Sequence, residues 1–272
     1  MRRSVIAALV AVAVIAALAV VGVRVYRYVY ERVTPERCTV LMDDGVTTLS
    51  PEQARNASII VAASVEAGLP GQAAVIALAT AYQESDLRNL DYGDRDSLGL
   101  FQQRPSYGWG TEEQILDPWY ASARFYEELV KFDGWETGDV NDVAQQVQRS
   151  GHPEAYRQHE EKALAVAAAL SGARKEALGC LGFEAAAADP GQFERQLAAL
   201  EGVEFSLGDG VATVTASDPA ALWAATHMVI ANSYAGGVTS AVVGDREWSA
   251  DDAAWGPAER AAAPGKAEFT LG

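Results

Sequence analysis

The spacing of apolar and polar residues divides this chain into an apolar N-terminal segment, a helical middle and a mixed C-terminal part. From Ser50 to about residue 172, apolar residues recur at helical spacing behind Ser-Pro and Asp-Pro start signals. After about residue 190, short alternating runs around glycines predict strands and a hairpin. We therefore expect an N-terminal segment over 1–32, a connector over 33–49, a helical domain over 50–180 and a small α+β domain over 190–272.

The helical pattern predicts five main helices in the middle part, and the C-terminal pattern predicts one longer helix among strands. The predicted helices run from Pro51 to about Glu66 and over Gln72–Ser85, Trp119–Lys131, Val140–Arg149 and Glu154–Leu170. The predicted strands cover 203–207, 211–216, 238–243, about 246–248 and 266–271, with a helix from Pro219 to about Ser233. The segment 86–110 is rich in Gly, Asp, Asn and Ser, which is typical of a functional loop.

The N-terminal segment has the pattern of a membrane anchor. Arg2 and Arg3 precede an uncharged run that Arg24 ends, and Val5–Val23 as a helix would span about 28 Å, close to the hydrocarbon thickness of a bilayer. A cleaved signal peptide is the alternative, since Ala17-Leu18-Ala19 resembles a cleavage site. We expect a single-pass protein of the cell membrane, with its body on the extracytoplasmic side.

The two cysteines flank the helical part of the chain. Cys38 follows the N-terminal segment and Cys180 follows the helical region, and such a pair indicates a disulfide formed in an oxidising compartment. Two unrelated buried thiols are the alternative, because free cysteine is readily buried.

The net charge of the chain limits the classes of partner that we expect it to bind. The formal net charge is −16, and because residues 1–32 carry five arginines and one glutamate, the remainder carries −20. A body this acidic repels nucleic acid, so we expect no nucleic-acid partner. We also expect no metal site and no cofactor, because the histidines and cysteines lack ligand spacing.

Glu84 is the strongest candidate for catalysis. It closes an apolar run, Ala73–Ala81, that predicts a buried helix. Desolvation at such a place disfavours the ionised carboxylate and raises its pKa, which is what a general acid for glycosidic cleavage requires. The alternative is a helix-terminal glutamate in a surface ion pair.

A second motif follows Glu84 at fixed spacing. Glu84-Ser85, a loop, Gly99-Leu100-Phe101-Gln102 and Pro105 resemble the lysozyme-like lytic transglycosylases of the soluble-lytic (SLT) type, with Phe101 where that family usually has methionine. The resemblance implies a mainly α protein: a lysozyme-like helical domain, here after a transmembrane helix and before the small α+β domain. It also implies cleavage of the β-1,4 bond between N-acetylmuramic acid and N-acetylglucosamine in peptidoglycan, with Glu84 as general acid.

The same resemblance places several residues at the substrate. Gln102 would line the cleft and Ser85 would support it with a hydrogen bond. From the residues themselves, Gln103 offers a second amide and Tyr107 an aromatic ring for sugar stacking, although such rings are as often packed in cores. The family's Ala-Tyr-Asn-Ala-Gly-type third motif is absent, and Gln145 and Gln148, which share one helical face, are candidates to replace it.

Two aspartates leave the reaction open. If Asp94 or Asp96 held a water opposite Glu84, the enzyme would be an inverting hydrolase, that is, a lysozyme. The alternative is that both aspartates only form a turn. The missing third motif leaves a further alternative from another class: a non-catalytic protein that binds peptidoglycan through a degenerate lysozyme-like cleft.

Overall fold

The computed structural model describes residues 2–149, 154–183, 186–208 and 210–272, with side chains from residue 14 onwards except at 27 and 31. The chain divides into a unit that ends at Glu36 and a second, Arg37–Gly272. The first unit contains one long helix, α1 (Arg2–Val33). All other helices and strands belong to the second unit.

The predicted membrane anchor is wrong. Among the described residues, no helix has the length and apolar character needed to cross a membrane. The single-pass placement in the cell membrane is therefore wrong as well.

The predicted fold class, a mainly α protein with a transmembrane helix, is also wrong. The chain is about 46% helical and 18% strand, and its strands form two antiparallel sheets, one of them six-stranded. The strands are only three to six residues long. Such short segments give weak periodic signals beside the long helical runs, so the sequence pattern understates the share of sheet.

The helical body consists of α3 and five other described helices. They are α2 (Pro51–Glu66), α3 (Gly71–Ser85), α4 (Glu112–Ile115), α5 (Pro118–Leu129), α6 (Val140–Gln148) and α7 (Glu160–Leu170). Ser50 begins α2 with a capping box, in which its hydroxyl accepts the amide proton of Gln53 and the Gln53 side chain accepts that of Ser50. Helix α3 packs against α2, α5, α6 and α7. Its residues from Ala73 to Tyr82 are buried, as the apolar run predicts.

A three-stranded sheet joins the start of the second unit to the end of the helical body. Strands β1 (Arg37–Leu41), β2 (Val46–Leu49) and β3 (Leu178–Leu181) lie in the order β2-β1-β3. Cys38 lies directly opposite Cys180 in the β1–β3 pair, and the two form a disulfide. The predicted disulfide is confirmed.

A six-stranded antiparallel sheet forms the C-terminal part, in the order β4-β5-β9-β6-β7-β8. Its strands are β4 (Val203–Gly208), β5 (Val211–Ala216), β6 (Val238–Val243), β7 (Arg246–Ser249), β8 (Trp255–Pro257) and β9 (Lys266–Leu271). Three helices accompany it: α8 (Glu194–Ala198), α9 (Pro219–Ala231) and α10 (Ser233–Gly236). The hairpin predicted at 203–216 and the last predicted strand are confirmed.

Helix α9 connects the sheet to the helical body. Its residues from Leu222 to Ala231 are all buried, and it packs against β4, β5, β6 and β9 as well as against α2 and α7. The Asn232 amide donates a hydrogen bond to the Ser58 hydroxyl of α2 at 3.0 Å. Because the buried apolar residues form one cluster, residues 37–272 share a single core. The domain boundary near residues 180–190 stays a prediction.

Candidate functional site

Glu84 lies at the C-terminal end of α3, where the chain leaves the helix by a sharp turn. Asp86 and Leu87 both adopt left-handed backbone conformations, with φ of 55° and 58°. The amides of these two residues donate to the carbonyls of Tyr82 and Ala81, so the last turn of the helix is satisfied. Leu87 then enters the core. This rigid helix end fixes the position from which the Glu84 side chain projects.

The Glu84 carboxyl is partly buried and accepts one hydrogen bond from a distant residue. The hydroxyl of Tyr156, which is fully buried, donates to Glu84 Oε1 at 2.7 Å. Desolvation raises the pKa of Glu84 above its usual range, and the hydrogen bond from Tyr156 opposes that rise. A carboxyl group in these surroundings holds its proton closer to neutral pH than a surface glutamate does.

The segment from Gly99 to Gln103 lies against this helix end. The Ser85 hydroxyl donates to the Leu100 carbonyl at 2.7 Å, so the residue after Glu84 holds the segment directly. Phe101 is buried and its ring stacks on Phe125, with centroids 4.7 Å apart. An aromatic side chain therefore fills the place at which the SLT pattern usually has methionine.

Two positions in the loop over 86–110 require glycine because of packing within the protein. A Cβ on Gly99, which has a φ of +75°, would lie 2.6 Å from the carbonyl oxygen of Ile115. A Cβ on Gly93 would lie 1.9 Å from Gln102 Oε1. The close approach that these glycines permit is thus to protein atoms.

The two adjacent glutamines of the segment occupy different surroundings. Gln102 has a left-handed backbone with a φ of 47°, and its amide donates weakly to the Tyr92 and Gly99 carbonyls at 3.3 Å. Gln103 is buried, and its amide donates to the Ala121 carbonyl at 3.0 Å. Gln103 therefore braces the loop against α5, while Gln102 lines a groove.

That groove, which we call the arginine groove, has a volume of about 440 Å³. Its lining residues come from the loop, α5 and the end of α6: Gln102, Arg104, Tyr107, Gly108, Trp109, Arg124, Glu128, Phe132, Val147, Gln148 and Arg149. Tyr107 is 67% exposed, with the Arg104 guanidinium 4.3 Å from its ring centroid. Of the predicted substrate-binding residues, Gln102, Tyr107 and Gln148 thus share one groove.

Gln148 connects the arginine groove to the Gly99–Gln103 segment. Its amide nitrogen donates to the Phe101 carbonyl at 2.9 Å, across 47 residues of sequence. Gln145 lies one turn earlier on α6 and is partly buried, outside the lining of the groove. Of the two glutamines predicted to act together, Gln148 lines the arginine groove and Gln145 does not.

Asp94 and Asp96, the two candidate second carboxylates, have partners other than Glu84. Asp94 is exposed, and its nearest ion-pair partner is Arg95 at 3.9 Å. Asp96 accepts from Arg104 Nε at 2.6 Å and from the Ser106 amide at 2.9 Å. Hydrogen bonds from Ser106, and then that from Arg104, hold the pKa of Asp96 well below its usual range. Asp96 therefore fastens the loop through its ionised carboxylate.

Several residues around Glu84 have no recognisable signal in the sequence. Tyr156 is 72 residues away and precedes α7 without any recognisable motif. Gln83 Oε1 accepts from Gln158 Nε2 at 3.0 Å and lies 3.1 Å from His159 Nε2. Desolvation lowers the pKa of His159, so this ring is neutral near pH 7. These contacts connect the end of α3 to the start of α7.

Comparison with known proteins adds no assignment. No family model matches this chain, and no curated protein matches it in sequence. Among the described residues, no group of three or more His, Cys, Asp or Glu side chains is placed to hold a metal ion.

Proposed function

We propose that this protein cleaves the β-1,4 bond between N-acetylmuramic acid and N-acetylglucosamine in peptidoglycan, with Glu84 as general acid. The observation that carries the proposal is the desolvated Glu84 carboxyl, whose pKa is raised and which Tyr156 holds by one hydrogen bond. A general acid needs a proton near the working pH and a fixed direction in which to deliver it. The rigid end of α3 supports the second requirement.

The proposed reaction uses one carboxyl group in two steps. Glu84 gives its proton to the bridging oxygen, and the bond between that oxygen and the muramyl C1 breaks. The Glu84 carboxylate then takes a proton from the attacking group, which restores the acid. If the muramyl 6-hydroxyl attacks, the product is a 1,6-anhydro sugar, and if water attacks, it is a reducing end.

The state of the aspartates favours the intramolecular attack. An inverting hydrolase needs a second carboxylate that is free to activate water and is held in place opposite the acid. Asp96 is not free, because it binds Arg104 and Ser106, and Asp94 is not held in place, because its ion-pair partner Arg95 lies 3.9 Å away and both side chains are exposed. A reaction in which the substrate supplies its own nucleophile requires no second carboxylate. We therefore propose lytic transglycosylase chemistry rather than hydrolysis.

Mass spectrometry of digested peptidoglycan sacculi tests the proposal. We expect muropeptides with 1,6-anhydro ends after incubation with the full chain. Reducing ends alone would contradict the transglycosylase assignment and leave a muramidase. The absence of fragments, together with retention of the protein on the sacculi, would contradict the enzyme assignment and leave the non-catalytic binding protein.

A further inference from the structure

The arginine groove brings three arginines together on a strongly acidic protein. Its charged lining residues are Arg104, Arg124, Arg149 and a single acid, Glu128, whereas the whole chain has a formal charge of −16. Cationic side chains gathered in one concave surface attract an anionic ligand that the rest of the surface repels. The groove also lies beside the Gly99–Gln103 segment through Gln102 and Gln148.

The three arginines differ in how far they are already paired. Arg104 pairs with Asp96 at 2.6 Å, and Arg124 pairs with Glu127 and with Glu128. Arg149 is exposed, and among the described residues no carboxylate forms an ion pair with it. Arg149 is therefore the guanidinium of this groove that has its charge and its donors available for a ligand.

The backbone at the groove provides a second, independent observation. Gln102 and Arg149 both adopt left-handed conformations, with φ of 47° and 52°. Arg149 caps the C-terminus of α6, a position at which glycine is strongly preferred. A non-glycine residue in such a conformation costs free energy that the surrounding structure has to offset. Here two such residues line one groove.

Aromatic rings complete the lining. Tyr107 lies under the Arg104 guanidinium at 4.3 Å, and Trp109 lies 5.9 Å from that of Arg124. Aromatic faces pack against sugar rings, while guanidinium groups pair with carboxylates in a bidentate manner. The combination fits a glycan that carries carboxylate groups, and a neutral glycan would leave the arginines unused.

We infer that the arginine groove binds a carboxylate of the glycan strand and that Arg149 is its direct partner. This inference rests on the proposed function, because it specifies which charged group of the proposed substrate the protein binds. The carboxylate has two sources in peptidoglycan: the lactyl group of the muramyl sugar, once its peptide is removed, and the peptide stem itself. Both sources present the same chemistry to a guanidinium.

Binding of the full chain to three soluble glycans tests the inference by isothermal titration calorimetry. The glycans are strands with intact peptide stems, strands stripped of peptide by an amidase, and neutral chitohexaose. We expect at least one charged strand to bind about five- to tenfold more tightly than chitohexaose, in line with one partly exposed ion pair. This preference is expected to disappear between about 50 mM and about 500 mM salt. Whichever charged strand binds more tightly identifies the source.

The variant Arg149→Gly separates binding from folding. Glycine suits the left-handed helix cap, so we expect a melting temperature equal to or above that of the wild type. The same variant is expected to lose the five- to tenfold preference for charged strands, and Arg149→Lys to retain part of it. Arg260→Gln, which also removes one exposed positive charge but lies on the C-terminal part, is the matched control and is expected to bind as the wild type does.

Two results would overturn the inference. One is equal affinity for chitohexaose and both charged strands, and the other is a preserved preference in Arg149→Gly. Neither depends on cleavage. Charge-dependent binding without cleavage would contradict the proposed function and support the groove assignment. Cleavage without charge-dependent binding would support the proposed function and contradict the groove assignment.

Discussion

The hydrogen bond from Tyr156 to Glu84 sets how readily the proposed acid loses its proton. Tyr156→Phe removes the hydroxyl and keeps the ring, which is fully buried. The hydroxyl donates at 2.7 Å and therefore stabilises the ionised form of Glu84. Without it, we expect the pKa of Glu84 to rise further, because desolvation then acts unopposed.

The magnitude follows from the geometry of this bond. A hydrogen bond to an ionised group contributes about 1.5–3 kcal/mol, and Glu84 is only partly buried, so we take the lower end. Since about 1.4 kcal/mol corresponds to a factor of ten, the protonated fraction of Glu84 on the basic side of its titration is expected to rise about tenfold. The rate at those pH values should rise relative to the optimum by a similar factor.

The assay is a pH profile of glycan-strand cleavage, with a carboxyl-carbon NMR titration of Glu84 beside it. Tyr126→Phe is the matched control, because that buried hydroxyl donates to the Ile60 carbonyl at 2.8 Å and leaves Glu84 untouched. Both variants should lose about 1 kcal/mol of stability, but only Tyr156→Phe should move the basic limb of the profile to higher pH. A basic limb that stays in place or moves to lower pH would refute the reasoning.

Three further predictions concern other groups. Asp96→Asn should keep the cleavage rate within about threefold, measured on sacculi, because a catalytic carboxylate would instead account for about 10²–10⁴-fold. His227 is buried with Nδ1 2.6 Å from the Ala169 carbonyl, and burial lowers its pKa to about 4. The neutral, buried ring stabilises the fold above about pH 6.5, and this stabilisation is lost as the pH falls towards 4. Between these two pH values, the unfolding free energy of His227→Gln should therefore fall by about 3 kcal/mol less than that of the wild type, as measured by urea titration at each pH. Replacing Cys38 and Cys180 by serine opens a loop of 142 residues and should lower the unfolding free energy by about 5 kcal/mol, an upper value from chain entropy, with cleavage retained at low temperature.

Local signals account for the elements that the sequence predicts well. Ser50-Pro51 and Asp218-Pro219 place a capping side chain before a proline, and both mark the start of a helix to the residue. Strand β9 alternates buried and exposed positions, so its bounds are readable. By contrast, all four residues of β3 are buried within an Ala- and Gly-rich stretch, and β8 contains a glycine and a proline. Such strands exist because of their neighbours and have no period of their own.

The candidate site likewise contains residues that local signals mark and residues that they do not. Ser85 contacts the Gly99–Gln103 segment, because the end of α3 and the loop that follows it lie together, and the role of Glu84 stays a prediction. Tyr156 and Arg149 reach the site from distant parts of the chain, and nothing local marks them. The apolar N-terminal run was misleading because its composition resembles that of a membrane span, whereas no described helix is able to cross a membrane.

The role of Glu84 as general acid is tested most directly by the rate of peptidoglycan cleavage by Glu84→Gln. This change keeps the size of the side chain and the acceptor for Tyr156 but removes the transferable proton. Glu66→Gln, at the end of α2 and paired with Arg195, is the matched control. We predict that Glu84→Gln cleaves about 10²–10⁴-fold more slowly while binding sacculi as the wild type does, and that Glu66→Gln cleaves at the wild-type rate. Wild-type cleavage by Glu84→Gln would contradict the account.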